Sequence, residues 1–520
     1  DPEMSRGLGD VYKRQIRYSA SWLNSAQTTI HSDTRTGEIL NASILINANM
    51  ISVQYADRIG ATVAIDPRVR TTVFPQEIQG ELIQAAIAQA VGTGLGLTMN
   101  WGASCAYPVD SLRSASFTQK YGLASSVMGG VIINDVATEE DVRNGVCLVN
   151  TKPGPYDELV IKYLYQPIYA SSLQEEKETL DSWIREHTGD PYYAYIRNQS
   201  RFDSDPRNSR GSLGDDHLKS FDYMLPNVRK GFENYYSWFA KEDRDFLMRR
   251  RVHSALSERL SGRIYAILSY IGGIYLNDIR EKDAIPSYSM VDREKQKAAL
   301  SKALELAKNL DWVDDTAHLN EFEISDKKAD RLRLDIFNGI FGRLPYVEVC
   351  TERFPDAAYT ASEYLDDIYG IVWEGVLKHR PLENFDRALQ TAFLESIIST
   401  STATAPIGSF KASKTGFAAT GKPEINLAAL RNGGKVDMKM YSLQNAEEVA
   451  GFSSIPPIYT NQTKIAAYYF DLLMRTKDML KKAISTAPEA DRSHYDLLIY
   501  RINNCLLYTS PSPRDISGSR

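Results

Sequence analysis

Apolar and polar residues alternate along the first part of the chain. The segment ILNASILINANMISVQY (39–55) carries apolar residues at alternate positions, which is the period of a strand with one buried face. A turn-forming DTRTG segment (33–37) precedes it, and RYSASWL (17–23) lies before that turn. The pattern therefore predicts a hairpin or two adjacent strands near the start of the fold.

Further along, apolar residues recur every three or four positions, as they do on one face of an α-helix. The first such run begins at Pro75, a residue suited to a helix start, and reaches about Asn100. Helix-like runs dominate after about Tyr156. We therefore expect an α/β (α+β) domain over residues 16–170 and a mainly α-helical region over residues 171–504.

The two ends of the sequence differ from the rest. Residues 1–15 (DPEMSRGLGDVYKRQ) and 505–520 (CLLYTSPSPRDISGSR) look like translated read-through of sequencing adapters, so both are left out of the predicted fold. On this interpretation Cys505 is not a biological cysteine and the natural ends are missing. Natural polar tails are the alternative. A Gly-, Ser-, Thr- and Ala-rich stretch at 399–434 interrupts the helical region and is typical of a loop.

Composition and charge exclude some classes of partner. The chain has 520 residues, of which 43% are hydrophobic and 24% are charged, as in an ordinary globular protein. Its 60 Lys and Arg against 66 Asp and Glu give a net charge of -6, which offers no basic surface for nucleic acid. Residues 82–109 carry no charge, but their Gln, Asn and Gly content argues against a membrane span. We expect no nucleic-acid partner and no integral membrane span, and the sequence carries no signal for an oligomeric state.

Residue types that ligate transition metals are scattered along the chain. The four cysteines form no CxxC pair, and no two of the seven histidines have the i, i+4 spacing of a helical metal site. Spacing alone therefore predicts neither a disulfide framework nor a zinc site.

One segment nevertheless resembles a known metal site. QAVGTGLGLTMN (89–100), followed by WGAS (101–104), is similar to the HEVGHTLGLRHN motif of a bacterial family of large zinc-dependent metallopeptidases, which are zincins. Companion segments occur in the family's order: DTRTGEIL (33–40), SSVMGG (125–130), GPYDELVIKYLY (154–165), DPRNSRGSLGDD (205–216), IGGIY (271–275) and EKQKAAL (294–300). The resemblance covers about residues 17–320 and implies a zincin-like domain.

The resemblance also implies where the family's chemistry belongs in this chain. In a zincin, two histidines one helical turn apart and a third beyond a glycine turn hold Zn²⁺, while a glutamate activates the bound water. The ligand positions here carry Gln89, Thr93 and Met99, and the glutamate position carries Ala90. Met128 keeps the methionine of the family's Met-turn. We therefore expect no zinc and no catalytic residue at this site, on a scaffold that is retained.

The leading functional hypothesis is a non-catalytic homologue, a pseudoenzyme, of an extracytoplasmic bacterial zinc metallopeptidase. The resemblance alone places such a protein in the periplasm, on the cell surface or outside the cell. We expect the former active-site cleft to bind a peptide or protein segment by strand addition. The strand predicted to receive that segment contains Ile39, Leu40, Ala42, Ile44 and Ile46.

Two alternatives remain open. The chain could be an active peptidase or hydrolase with a relocated site at Asp215, Asp216 and His217, because two acids beside a histidine can act as acid and base. A Gly-Asp-Asp segment before a helical pattern is, however, more often a helix N-cap. The other alternative is a structural or assembly protein built on helical hairpins, which predicts neither ligand nor metal.

Overall fold

The computed structural model describes residues 15–508 with several gaps, at 22, 24–25, 197–203, 209–211, 278, 280–282, 284, 315–316, 319–326 and 402–461. Residues 1–14 and 509–520, which belong to the ends expected to be read-through, lie outside the described residues. The Gly- and Ser-rich stretch also lies outside them from residue 402 onward. Cys505 is described and belongs to the last helix.

A three-stranded sheet opens the described chain. Its strands are β1 (Gln15–Ser19), β2 (Ala26–Ser32) and β3 (Ile39–Asn47). Their spatial order is β1-β3-β2, with β1 parallel and β2 antiparallel to β3. Strand β3 is therefore internal, and its alternating residues Ala42, Ile44 and Ile46 are buried. The two predicted strand segments, 17–23 and 39–55, overlap β1 and β3, which lie side by side but run parallel and so form no hairpin. Strand β2 was not predicted, and the chain from Met50 onward is helical where the alternating pattern predicted strand.

The chain beyond the sheet is mostly helical. The whole chain divides into two compact units, residues 1–371, which include the sheet, and residues 372–520. The first unit contains α1 (Met50–Thr62), α2 (Gln76–Gly94), α3 (Ala115–Tyr121), α4 (Glu139–Arg143), α5 (Pro155–Tyr165), α6 (Leu173–Arg185), α7 (His217–Phe239), α8 (Leu247–Leu268), β4 (Ile274–Leu276), β5 (Tyr288–Met290), α9 (Arg293–Lys308), α10 (Lys328–Phe341), α11 (Leu344–Arg353) and α12 (Ala361–Val372, ending at the division). The second unit contains α13 (Glu374–Leu377), α14 (Asn384–Ser401), α15 (Gln462–Ala483) and α16 (Glu489–Tyr508).

This order of elements confirms the predicted fold class, a small α/β part followed by a large helical region. The domain boundary near residue 170 stays a prediction. Within the described ranges, no helix is both long enough and apolar enough to cross a membrane.

Helix α2 packs across the sheet. It begins directly after Pro75, as predicted, and buries Ile78 and Leu82. The Thr28 hydroxyl of β2 donates to the Ala90 carbonyl oxygen at 3.1 Å, which fixes the helix to the sheet. At Gly94 an added Cβ would lie 3.4 Å from the Cβ of a β3 residue, so the end of the helix rests directly on that strand.

A buried ion pair joins the segment after the Met-turn to α8. The Asp135 carboxylate accepts from Arg259 Nε at 2.6 Å and from Arg263 Nε at 2.9 Å. Burial opposes ionisation of Asp135, but the two guanidinium groups outweigh it and hold the pKa of this carboxyl below its usual range. The helical part of the first unit is thereby tied to the loops that surround α2.

Replacing Asp135 by Asn removes the charge that compensates these two guanidinium groups. We expect the free energy of unfolding to fall by about 3–5 kcal/mol, because an uncompensated buried charge is that costly. Urea unfolding followed by circular dichroism measures the change. In the control, Asp222→Asn breaks a largely exposed pair with Lys302, and we expect a change below about 1 kcal/mol. Equal losses in the two variants would contradict the expectation.

Candidate functional site

The three positions that correspond to the family's zinc ligands lie together at the end of α2. Gln89 and Thr93 are one helical turn apart on the helix, and Met99 lies beyond the turn that follows it. The Gln89 amide donates to the Met99 sulfur, with 3.0 Å between Nε2 and Sδ. The Thr93 hydroxyl donates to the Gln89 carbonyl oxygen at 3.2 Å. The polar groups at these positions therefore bond to one another.

A glycine turn carries the chain from α2 to Met99. Gly96 has a φ of 92°, in the left-handed region that favours glycine. The Gly96 N–H donates to the Thr93 carbonyl oxygen at 2.9 Å, and the Leu97 N–H donates to the Gly92 carbonyl oxygen at 3.0 Å. These two bonds cap the helix end and reverse the chain. The sequence pattern predicted a helix to about Asn100, whereas the helix ends at Gly94 because the glycine turn stops it.

Met128, in a short 3₁₀ turn, is fully buried beneath the same helix. A Cβ added at Gly92 would lie 2.6 Å from Met128 Sδ, so glycine is needed for this close approach. Leu97 and Met99 pack in one cluster with Met128. The Asn100 N–H donates to the Met128 carbonyl oxygen at 3.1 Å. Helix, glycine turn and Met-turn therefore form one packed assembly.

Asp157, in the first turn of α5, holds the Met-turn in place. Its carboxylate accepts from the Ser126 hydroxyl at 2.5 Å and from the N–H groups of Val127 and Gly154, each at 2.9 Å. The Ser126 oxygen accepts from the Met128 N–H at 2.9 Å. Burial raises the pKa of the Asp157 carboxyl, and the three donors oppose that rise. Asp157 acts by positioning the Met-turn backbone.

The position of the family's catalytic glutamate faces the sheet. Ala90 is 5% exposed and packs in a buried apolar cluster with Ile44, Ile46 and Met50. A methyl side chain transfers no proton, and its neighbours in this cluster are hydrocarbon or thioether groups. The general-base function of a zincin therefore has no residue at this position.

The donor set at the three ligand positions does not fit a zinc ion. Proteins hold Zn²⁺ with imidazole, thiolate and carboxylate groups, whereas these positions offer a carboxamide, a hydroxyl and a thioether. The amide and the hydroxyl already donate within the site. In the part of the chain that the structure describes, no group of three or more His, Cys, Asp or Glu side chains is placed to hold a metal ion.

Residues 71–380 match a family model described as Met-zincin. The matched range is more than half of the chain and contains α2, Met128 and Asp157. The chain belongs to the Met-zincin family. This confirms the resemblance inferred from the ordered motifs. The family implies zinc, and this Met-zincin carries other residues at the ligand positions. No curated protein and no solved structure matches the chain.

The residues predicted as an alternative hydrolase site, Asp215, Asp216 and His217, lie at the start of α7. Asp216 is the helix N-cap, and its carboxylate accepts from two backbone N–H groups of the first turn at 3.0 and 3.2 Å. Asp215 accepts from the Val109 N–H at 3.1 Å. His217 is buried, with its Nε2 atom 2.9 Å from the Pro206 carbonyl oxygen. All three side chains therefore bond to backbone groups, and the histidine does not face solvent.

The strand predicted to bind a peptide is the internal strand of the sheet. Ile44 and Ile46 have β1 on one side and β2 on the other, so a peptide could pair there only if one strand left. Ile39 and Ala42 pair with β2, and no described residue pairs with them on the other side. Leu40 lies at an irregularity in the β2 pairing. The edge strand beside α2 is β2, which is not the strand predicted to receive a peptide.

Replacing Asp157 by Asn tests the support of the Met-turn. An amide at this position cannot accept from all three donors, and its NH₂ group would face them. We expect the free energy of unfolding to fall by about 2–3 kcal/mol, because buried donors lose their acceptor. The control is Glu158→Gln, an exposed neighbour on the same helix, with an expected change within about 0.5 kcal/mol. Urea unfolding of both variants measures this, and an Asp157→Asn protein as stable as the control would refute the role.

His217 makes stability depend on pH. Burial lowers the pKa of His217 to about 4, against 6.5 for an ordinary histidine. The unfolded chain therefore binds a proton between these values while the folded chain does not, so stability is lost as pH falls from 6.5 to 4. We expect wild type to lose about 3 kcal/mol more than His217→Gln over this window. Parallel denaturant titrations of both proteins from pH 7 to 4 measure it, and identical pH profiles would disprove it.

Proposed function

We propose that this Met-zincin is a non-catalytic member of its family that binds an extended peptide beside the former metal position. The observation that carries the proposal is the bond between Gln89 Nε2 and Met99 Sδ at 3.0 Å. It joins two positions that hold zinc in a zincin. Ala90, buried against the sheet, supports the same conclusion because the general base is also replaced. The described scaffold is packed, and its ligand and base positions carry no residue that supports metal-assisted hydrolysis.

The geometry of the sheet favours β2 as the strand that receives the peptide. Among the described residues β2 pairs only with β3, so its other edge presents backbone donors and acceptors. The bond from Thr28 to Ala90 places β2 beside the part of α2 that carries Gln89. The β2 sequence AQTTIHS has no proline, lysine or acidic residue, the usual devices that keep an edge strand from pairing. These features support recognition by strand addition.

We expect the purified protein to bind synthetic hexapeptides of mixed apolar and polar sequence, measured by isothermal titration calorimetry. Strand addition uses the peptide backbone on one side only, because N–H groups alternate in direction along a strand. A peptide N-methylated at one set of alternate residues should therefore lose binding, while methylation of the other set leaves it. Equal binding of both methylated peptides would exclude strand addition. An absence of binding to the whole set would refute the peptide-binding function.

Metal content and hydrolysis test the non-catalytic part of the proposal. In protein expressed with zinc in the medium, we expect less than about 0.1 Zn per chain by mass spectrometry, because the donors do not fit. We also expect no casein cleavage above buffer. Stoichiometric zinc with cleavage would refute the proposal. Cleavage without zinc that disappears in His217→Ala would favour the relocated hydrolase, although the buried, backbone-bonded His217 gives no support to that alternative.

The family resemblance also motivates a proposal about location. Members that this chain resembles act outside the cytoplasm, and we propose the periplasm, the cell surface or the medium for this protein too. Fractionation of cells that express the native gene, followed by immunoblotting, tests this. Detection only in the cytoplasmic fraction would refute it.

A further inference from the structure

The zinc ion of a zincin does structural work besides its chemistry, because it connects the active-site helix to the chain beyond the glycine turn. In this protein the same two segments are connected by side chains, through Gln89 on α2 and Met99 after Gly96. We infer that the link between Gln89 and Met99 replaces the metal as the connection between these segments, within a scaffold that still presents the ligand positions. The inference goes beyond peptide binding and does not depend on it.

Met99 is suited to this replacement. Its side chain packs against the buried cluster of Leu97, Val127 and Met128, as do Val160 and Ile161 of α5. A thioether is flexible and polarizable, so it fills an irregular space and still accepts a weak hydrogen bond. The Gln89 amide supplies the donor at 3.0 Å. Apolar packing and one polar contact thus hold the segment that a third ligand would otherwise hold.

Thr93 fits the same interpretation. Its hydroxyl donates to the Gln89 carbonyl oxygen, four residues earlier on the same helix, at 3.2 Å. Serine and threonine hydroxyls satisfy themselves in this way inside helices when no other partner is required. This Thr93 bond stays within α2 and connects it to no other segment. The connection across the glycine turn is therefore made by Gln89 and Met99.

The surrounding scaffold remains in the form that a metal site needs. Gly92 admits Met128 beneath the helix, and Gly96 makes the turn at a φ of 92°. The Asn100 side chain bonds the chain after the turn to a neighbouring loop, donating to the Ala194 carbonyl oxygen at 2.9 Å and accepting from the Ile196 N–H at 3.1 Å. None of these contacts involves the three ligand side chains. These contacts set the course of the backbone, and the link between Gln89 and Met99 adds a side-chain connection across the turn.

Hydrogen exchange of the full chain tests the link directly. Two amides report on the turn. The Leu97 N–H donates to the Gly92 carbonyl oxygen across the turn, and the Asn100 N–H donates to the Met128 carbonyl oxygen in the Met-turn. In an otherwise wild-type chain, we expect Gln89→Ala to speed the exchange of these two amides roughly threefold to tenfold, because one tertiary contact is lost. In a Met99→Ala background, Gln89→Ala should add nothing, because the link is already broken. The matched control is Gln84→Ala, an exposed glutamine on the same helix, which should leave both amides unchanged.

An equal effect of Gln89→Ala in both backgrounds would overturn the inference, because the two residues would then act independently. So would a control variant with the same effect as Gln89→Ala. Metal removal gives a second readout on the unaltered protein. Chelation with phenanthroline should shift its melting temperature by less than about 1 °C, because no bound metal contributes to stability. A larger drop that zinc reverses would overturn the inference.

The retained scaffold is tested by placing histidines at the three positions. We expect the full chain with Gln89→His, Thr93→His and Met99→His to bind about one zinc per chain. Its melting temperature should then depend on zinc, unlike that of wild type. The control carries Ala at the same three positions and should bind none. A folded histidine variant without zinc would overturn the claim that the scaffold still presents the ligand positions. If that variant does not fold, the exchange measurements still decide whether the link exists.

Discussion

The contact between Met128 and α2 at Gly92 is the constraint on which the rest of the site depends. There is no room for a Cβ between them, so the helix and the Met-turn lie as close as a backbone and a side chain can. Asp157 keeps the Met-turn in that place by accepting three hydrogen bonds. The chain after Gly96 then packs on the same cluster. Everything at the former metal position is built on this layer.

That layer explains how the chain belongs to the family although its ligand positions carry other residues. Gly92 leaves room for Met128, Gly96 makes the turn at a positive φ, and Met128 is fully buried, so the fold constrains all three positions. The ligand side chains of a zincin contact mainly the ion. Those positions are therefore less constrained by packing than the scaffold residues, and here they carry Gln89, Thr93 and Met99. The match over residues 71–380 therefore establishes the family and its scaffold. Function has to be argued separately, from the side chains at the site.

Features that depend on local pattern were predictable from the sequence. The start of α2 after Pro75 was predictable in this way. The helical pattern, however, ran to about Asn100, and only the family resemblance indicated the glycine turn and the Met-turn. Strand order was not predictable, because alternation of apolar residues marks β3 as half-buried without indicating which strands flank it. The role of Asp157 was also missed. Its two partners in the Met-turn, Ser126 and Val127, lie 31 and 30 residues away in the sequence, and only the fold brings the carboxylate to them.

The environment of Ala90 limits which residues this position can carry. The methyl group lies among Ile44, Ile46 and Met50, in a contact region that excludes water. A glutamate reintroduced there would have to bury a carboxylate beside hydrocarbon, and its proton affinity would rise accordingly. A glutamate at this position would thus require the strand residues around it to change as well. The packing makes such a change one-sided: each further apolar substitution around Ala90 would make an acidic residue there more costly to bury.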